Sequence, residues 1–293
     1  MANTTFNGPV RSENGFKLIN KAATSGLVTD VSSISVSTRD TRRYYLNESW
    51  KQRPALNADI DQAYTVEVAR AANRNFEVLG TNMTTALVTF DSDRAGIIIT
   101  TAGADEDQSI IAPHLDTNQT AWTGVGWGTE NQTQWECAVS TNAIDNQKFW
   151  AGLKLTNDQL VATDANQAYF LFETDGDNGT SLTDYTLLHF VHSIADTDYI
   201  SALPITIAAN TLYRLKITID SNRKASIFVN GEQYNVTTTS GSTGGTAVTT
   251  GTTPTAALTN DINFIPYIGI EAGAAAAELL DVHHQAISRL IYE

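Results

Sequence analysis

Cysteine occurs once in these 293 residues, at Cys137, so no disulfide can form within one chain and no cysteine metal cluster exists. Histidine is scarce too. Of the five, only His283 and His284 are adjacent, and alternation along a strand would send them to opposite faces, which argues against chelation. Charged residues make up 17% of the chain, while Thr, Asn, Ala and Gly abound, a mix suited to short strands and polar turns rather than helical bundles. No run of 18 apolar residues exists, so no membrane span is expected. The opening Met-Ala-Asn-Thr-Thr-Phe lacks the basic and apolar regions of a signal peptide, and the chain is expected to remain in the cytoplasm where it is made.

What is present points to antiparallel β-structure. Apolar residues reach 42%, enough for a real core. Residues 213–220 (Tyr-Arg-Leu-Lys-Ile-Thr-Ile-Asp) alternate apolar and polar side chains over a full strand. The chain turns at residues 221–223, runs back through 225–229, and turns again at Asn230-Gly231, the pair that suits a type I′ hairpin. Further strands are expected at 76–79, 85–90, 97–100, 135–139, 148–154, 168–172, 186–191, 264–270 and 286–292. The expected fold class is all-β, an antiparallel jelly roll or β-sandwich with an extended N-terminal arm and one short helix.

Three regions are expected. Residues 1–55 form a basic arm, 56–75 a connector with a helix best placed at 57–74, and 76–293 the sandwich. The Thr/Gly/Ser-rich stretch 237–260 is expected to be an exposed, mobile loop. Charge divides along the same lines. Residues 1–55 hold eight basic and four acidic side chains, a net of +4, which leaves −18 on the remainder of a chain whose net charge is −14. A basic arm on an acidic body suggests docking on an acidic partner surface. The expected anchors are Arg11, Phe16, Lys17, Arg42, Arg43, Tyr44, Tyr45 and Trp50. The arm lacks the clustering and interleaved aromatics of a nucleic-acid binder, so no nucleic-acid partner and no membrane partner are expected.

No set of catalytic residues emerges. The alternating acidic strand of a glucanase, with acid and nucleophile on one face, is absent, as are a Ser-His-Asp signature, a P-loop and a dinucleotide fingerprint. No catalytic residue, cofactor or firm metal site is expected, and the chain reads as a non-enzyme. Asp175 and Asp177, with Asp184 nearby, form a weak calcium candidate, since the EF-hand spacing fails and an acidic turn explains the same residues. Trp122 and Trp127, beside Gly124, Gly126 and Gly128, could stack on sugar rings if exposed, or fill the core if buried.

Two resemblances bear on function. Residues 213–220 with 227–231 (Ile-Phe-Val-Asn-Gly) resemble late strands of the concanavalin A-like lectin/glucanase superfamily, which implies fold alone. Residues 4–16 (Thr-Thr-Phe-Asn-Gly-Pro-Val-Arg-Ser-Glu-Asn-Gly-Phe) look like the opening of virion structural proteins of tailed marine phages, cyanophages among them. Residues 75–82, 101–105, 112–118, 150–157, 265–269 and 287–289 are similar to stretches of the same proteins. That resemblance implies a non-enzymatic virion component, assembled in the host cytoplasm, with a major capsid protein or tail component as partner. It implies a head decoration or head-fibre protein, often a homo-oligomer. The alternative is a receptor-binding tail fibre whose lectin-like body binds host-surface carbohydrate.

Overall fold

The computed structural model describes residues 19–21, 28–30, 43–57, 76–93, 95–113, 126–155, 164–174 and 182–291. The expected helix at 57–74 lies outside these residues, except for Asn57. Among the described residues the helical elements are single 3-10 turns, and the rest of the regular structure is strand.

Two sheets form a sandwich. Across the smaller sheet the order is β17 (Glu232–Tyr234), β16 (Ala225–Val229), β15 (Tyr213–Ile219), β10 (Gln134–Thr141), β20 (Leu279–Leu290), β7 (Ile97–Thr100) and β6 (Val88–Phe90), with β3 (Arg43–Glu48) also on β20. The larger sheet runs β18 (Thr246–Ala247), β14 (Thr197–Thr206), β13 (Leu187–Ile194), β12 (Gln167–Glu173), β11 (Gln147–Lys154), β19 (Asn263–Ala272), β8 (Gln108–Pro113), β5 (Phe76–Gly80) and β4 (Ala55–Asn57). β9 (Trp127–Gly128) pairs with β19, and β1 (Ile19–Lys21) pairs with β2 (Val28–Asp30) as a separate two-stranded unit. Neighbours are antiparallel except at the ends of the larger sheet, where β14/β18 and β4/β5 are parallel. Hairpin runs such as β11–β14 and β15–β17 stay within one sheet, and the chain passes between the sheets at β5/β6, β7/β8, β10/β11, β14/β15 and β19/β20 to close the jelly roll.

The core lies between the sheets. Trp135, Cys137, Val139, Leu215, Ile217 and Ile227 of the smaller sheet face Phe149, Leu153, Phe170, Phe172, Phe190 and Ile268 of the larger. Removing each such side chain from water contributes about 1.5–3 kcal/mol. Burial, with Glu136 alongside, pushes the Cys137 thiol well above its ordinary pKa, so it acts as a small apolar group. The expected hairpin forms as read. Asn230 and Gly231 adopt φ of 52° and 84°, and the Arg214 N–H donates to Asn230 Oδ1 at 2.9 Å.

Two expectations change. Arg43, Tyr44 and Trp50 belong to the sandwich rather than to a projecting arm. The Arg43 guanidinium donates to the Gln132 carbonyl at 2.7 Å and to Ser288 Oγ at 3.0 Å, tying β3 to the sheet. Trp50 is buried against Phe76, ring centroids 5.7 Å apart, and Tyr44 lies 5.7 Å from Trp127. Tyr45 is half-buried. The stretch 237–260 is likewise no free loop. It straps the two sheets together, pairing Thr246 and Ala247 with Ser201 and Ala202 and bonding back to the smaller sheet from Thr255 N to Ala225 O and from Leu258 N to Arg223 O. Thr residues suit this role because a short polar side chain tolerates an extended, partly wet backbone.

Candidate functional site

Strand register sorts the outer face of the larger sheet into rows that run across the strands. Side chains recur on one face every second residue, so adjacent rows are about 7 Å apart. One row reads Gln108, Glu271, Lys148, Glu173. The next reads Leu79, Ile110, Gly269, Trp150, Leu171, His189, Ala202. The third includes Glu77, Tyr267, Gly152, Tyr169 and Val191. A fourth joins Ile265, Lys154, Gln167, Ser193 and Asp198. Two aromatic middle rows are thus bordered by two polar rows.

The border rows are continuous chains of polar contacts. Gln108 Nε2 donates to Glu271 Oε2 at 2.5 Å, and Lys148 Nζ lies 3.7 Å from Glu271 and 3.8 Å from Glu173. On the other side Lys154 Nζ lies 3.8 Å from Asp164 and donates to Gln167 at 3.1 Å. Gln167 donates onward to Ser193, and Ser193 to Asp198, at 2.7 and 2.5 Å. Lys154 also sits 4.5 Å from the centre of the Tyr169 ring, a cation–π contact.

In the middle rows Trp150 stacks on Tyr267 at 5.9 Å and 25°. Its ring lies across Gly269, where a Cβ would come within 2.5 Å of it, so only glycine admits the indole there. His189 Nδ1 donates to the Leu187 carbonyl at 3.0 Å, which leaves Nε2 as an acceptor. Burial pushes the His189 pKa down to about 4, so the ring is neutral near pH 7. His189 Nε2 and Trp150 Nε1 are buried without a hydrogen-bond partner. Both side chains are 0% exposed, so this face is closed in the structure. Gly245 of the strap lies over His189 and accounts for part of that closure.

The residues singled out from sequence lie elsewhere. Trp127 is 1% exposed and packed on Tyr44, so it has no ring face for a sugar. Trp122 lies outside the described residues, as do Asp175 and Asp177 of the calcium candidate and Arg11, Phe16, Lys17 and Arg42 of the arm. Asp184 is exposed, and its Oδ1 accepts from the Thr186 N–H and hydroxyl at 2.9 and 2.6 Å, which lowers its pKa. Among the described residues no group of three or more His, Cys, Asp or Glu could hold a metal ion. An open cleft of about 180 Å³ between residues 128–131 and 261–263 carries Glu130 and Asp261 but no aromatic ring.

The His283–His284 pair departs from simple alternation. A β-bulge opposite Ala138 and Val139 turns both side chains to the outer face of the smaller sheet. His283 Nδ1 lies 3.9 Å from Asp91, and His284 Nε2 lies 3.7 Å from Glu136. Ser140 Oγ is 3.4 Å from His283 Nε2, which completes a Ser-His-Asp grouping that no sequence motif announces. Ser140 is 1% exposed and donates to Asp281 at 3.2 Å, so it is no poised nucleophile.

No known family profile matches the sequence, and no curated protein sequence does. Solved structures do resemble it. A protein of unknown function from Shewanella oneidensis MR-1 aligns with a TM-score of 0.51 at 10% identity, over 89% of this chain and 90% of that one. A family 7 alginate lyase, A1-II′, aligns at 0.41 and 13%, over 71% of this chain and 86% of the enzyme. A glycosyl hydrolase family 16 protein from Mycobacterium smegmatis aligns at 0.45 and 9%, over 83% and 98%. These likenesses show the fold alone. The expectation of a non-enzyme is corrected to this extent: the solved structures that resemble the chain include an alginate lyase and a glycosyl hydrolase family protein. An acidic pattern along one strand says nothing of carboxylates that pairing brings together from separate strands, as it does Glu173 and Glu271 beside Lys148. The chain folds as an antiparallel jelly-roll β-sandwich.

Proposed function

We propose that this chain is a surface protein of a tailed-phage particle that recognises host-surface carbohydrate through the outer face of its larger sheet. The observation that carries the carbohydrate reading is the pattern of rows on that face. A sheet face that only had to pack would be apolar, because burying an ion costs several kcal/mol even when paired. Here Lys148, Glu173, Glu271, Lys154 and Asp164 are buried beside an aromatic stripe of Trp150, Tyr267 and Tyr169. Aromatic platforms flanked by fixed polar groups suit sugars, which have apolar ring faces and hydroxyl edges. The particle reading rests on the resemblance of residues 4–16 and the stretches that follow. Of its two forms, a receptor-binding role draws on this face, whereas head decoration leaves the buried charges without a purpose.

Two measurements test the proposal. Antibody labelling of purified particles in the electron microscope should place the protein on tails. Label on heads would restore the decoration role, and label on no particle would remove the virion reading. Electrophoresis through gels containing host-surface polysaccharide should retard the protein, and reducing ends released on incubation would identify cleavage as well as binding.

A further inference from the structure

We infer that the glycan taken by this face is a neutral, hydroxyl-rich polysaccharide and not a carboxylated or sulfated one, an inference that rests on the carbohydrate reading above. The charges on the face give the first argument. Lys148 and Lys154 are the sole cations on the described strands of the larger sheet. Each is flanked by carboxylates, Lys148 at 3.7 and 3.8 Å without a hydrogen bond from Nζ and Lys154 at 3.8 Å. Acidic groups on or beside the face are Glu77, Asp164, Glu173, Asp198 and Glu271, which outnumber the two lysines. An anionic sugar would have to displace a carboxylate from a lysine and then sit among like charges in a medium that screens them poorly. Beyond the face, residues 56–293 carry a net charge of −18, so a polyanion is also repelled at a distance.

The second argument is the chemistry of the unpartnered atoms. Trp150 Nε1 is a buried donor without an acceptor, and His189 Nε2 a buried acceptor without a donor. They lie in one row two strands apart, about 10 Å, on the scale of two linked sugar rings. A hydroxyl both donates and accepts, so a run of hydroxyls can satisfy both atoms. A carboxylate or sulfate only accepts. Placed at His189 it would set negative charge against a lone pair, and burial keeps that ring uncharged near neutral pH.

The test uses the intact chain in affinity electrophoresis with two sets of gels. One set contains neutral polymers (dextran, β-1,3-glucan, galactan), the other anionic ones (alginate, chondroitin sulfate, carrageenan). Retardation by a neutral polymer alone, unchanged between low and physiological salt, is expected. His189→Phe, which keeps a planar ring without the acceptor, should weaken binding about 3- to 10-fold, the equivalent of one neutral hydrogen bond. Trp150→Phe should act similarly by removing the donor. Unfolding curves of both variants separate this loss from misfolding. Retardation by anionic polymers alone, or equally by both sets, overturns the inference and leaves the carbohydrate reading standing. Retardation by neither set overturns that reading itself. Neutral binding untouched by either variant, with both folded, removes the assigned atoms and with them the inference.

Discussion

On the outer face of the smaller sheet, Arg214, Lys216, Thr218, Ser226 and Phe228 are exposed or half-buried, and each alternates with a buried neighbour. On the outer face of the larger sheet, Lys148, Trp150, Lys154, Tyr169, Glu173, Tyr267 and Glu271 are all buried. At β15 and β16 the smaller sheet solves the usual problem, one face in the core and one in water, whereas its centre at β10 is buried on both faces. The larger sheet has two dry faces, and the second adds buried charges at its borders to the aliphatic and aromatic cluster that packing alone would select. Since buried ion pairs contribute little net stability over apolar replacements, the difference supports placing the proposed binding role on the larger sheet.

The comparison can be broken by mutation. Trp150→Ala should destabilise the protein by about 3–5 kcal/mol, because a fully buried indole leaves a cavity over Gly269 that backbone cannot fill. Urea unfolding measures this, and a loss below about 1 kcal/mol would mean that the outer face is not packed. Lys148→Met removes the cation between Glu173 and Glu271, and a loss of roughly 3 kcal/mol is expected. A neutral result in thermal melts would show that the pair does not depend on it.

Acid should act through two histidines of the larger sheet. Burial holds His189 at about 4 and His192, stacked between Phe190 and Tyr199, at about 3, against an unfolded value of 6.5. The unfolded chain therefore takes up protons first. Stability from these groups is complete above pH 6.5 and is lost as pH falls from there towards 4 and 3, on the order of 3 kcal/mol for each. His192→Phe should flatten part of that acid slope in melts recorded from pH 7 to 4, and an unchanged slope would place the proton uptake elsewhere. The smallest effect belongs to the smaller sheet. Lys216→Ala, which loses a cation–π contact of 5.7 Å to Phe228 on a wet surface, should cost about 0.5 kcal/mol or less. A loss as large as that of Trp150→Ala would erase the distinction between the two faces.

The same contrast governs what could be read from the sequence. β15, β16 and the Asn230-Gly231 turn were legible because one wet face imposes period-two alternation. In β11 and β12 every residue is buried, so the strands could be read but not their two faces. β14 escaped notice because Pro204 argues against a strand interior. The structure tolerates it because the outer neighbour β18 pairs only at Ser201 and Ala202. β8 and β3 were missed for lack of alternation, and the aromatic and arginine residues of β3 suggested an anchor instead. The polar rows could not have been found by spacing. Gln108 and Glu271 bond across 163 residues, a separation set by strand order alone.

The most direct test is a crystal structure of the intact chain soaked with oligosaccharides cut from a neutral polymer that retards it. Sugar density along the row of Trp150 and His189, stacked against Tyr267 or Tyr169, is the predicted result. Sugar density confined to the outer face of the smaller sheet, or to the open cleft at residues 128–131, would contradict the assignment of function to the larger sheet.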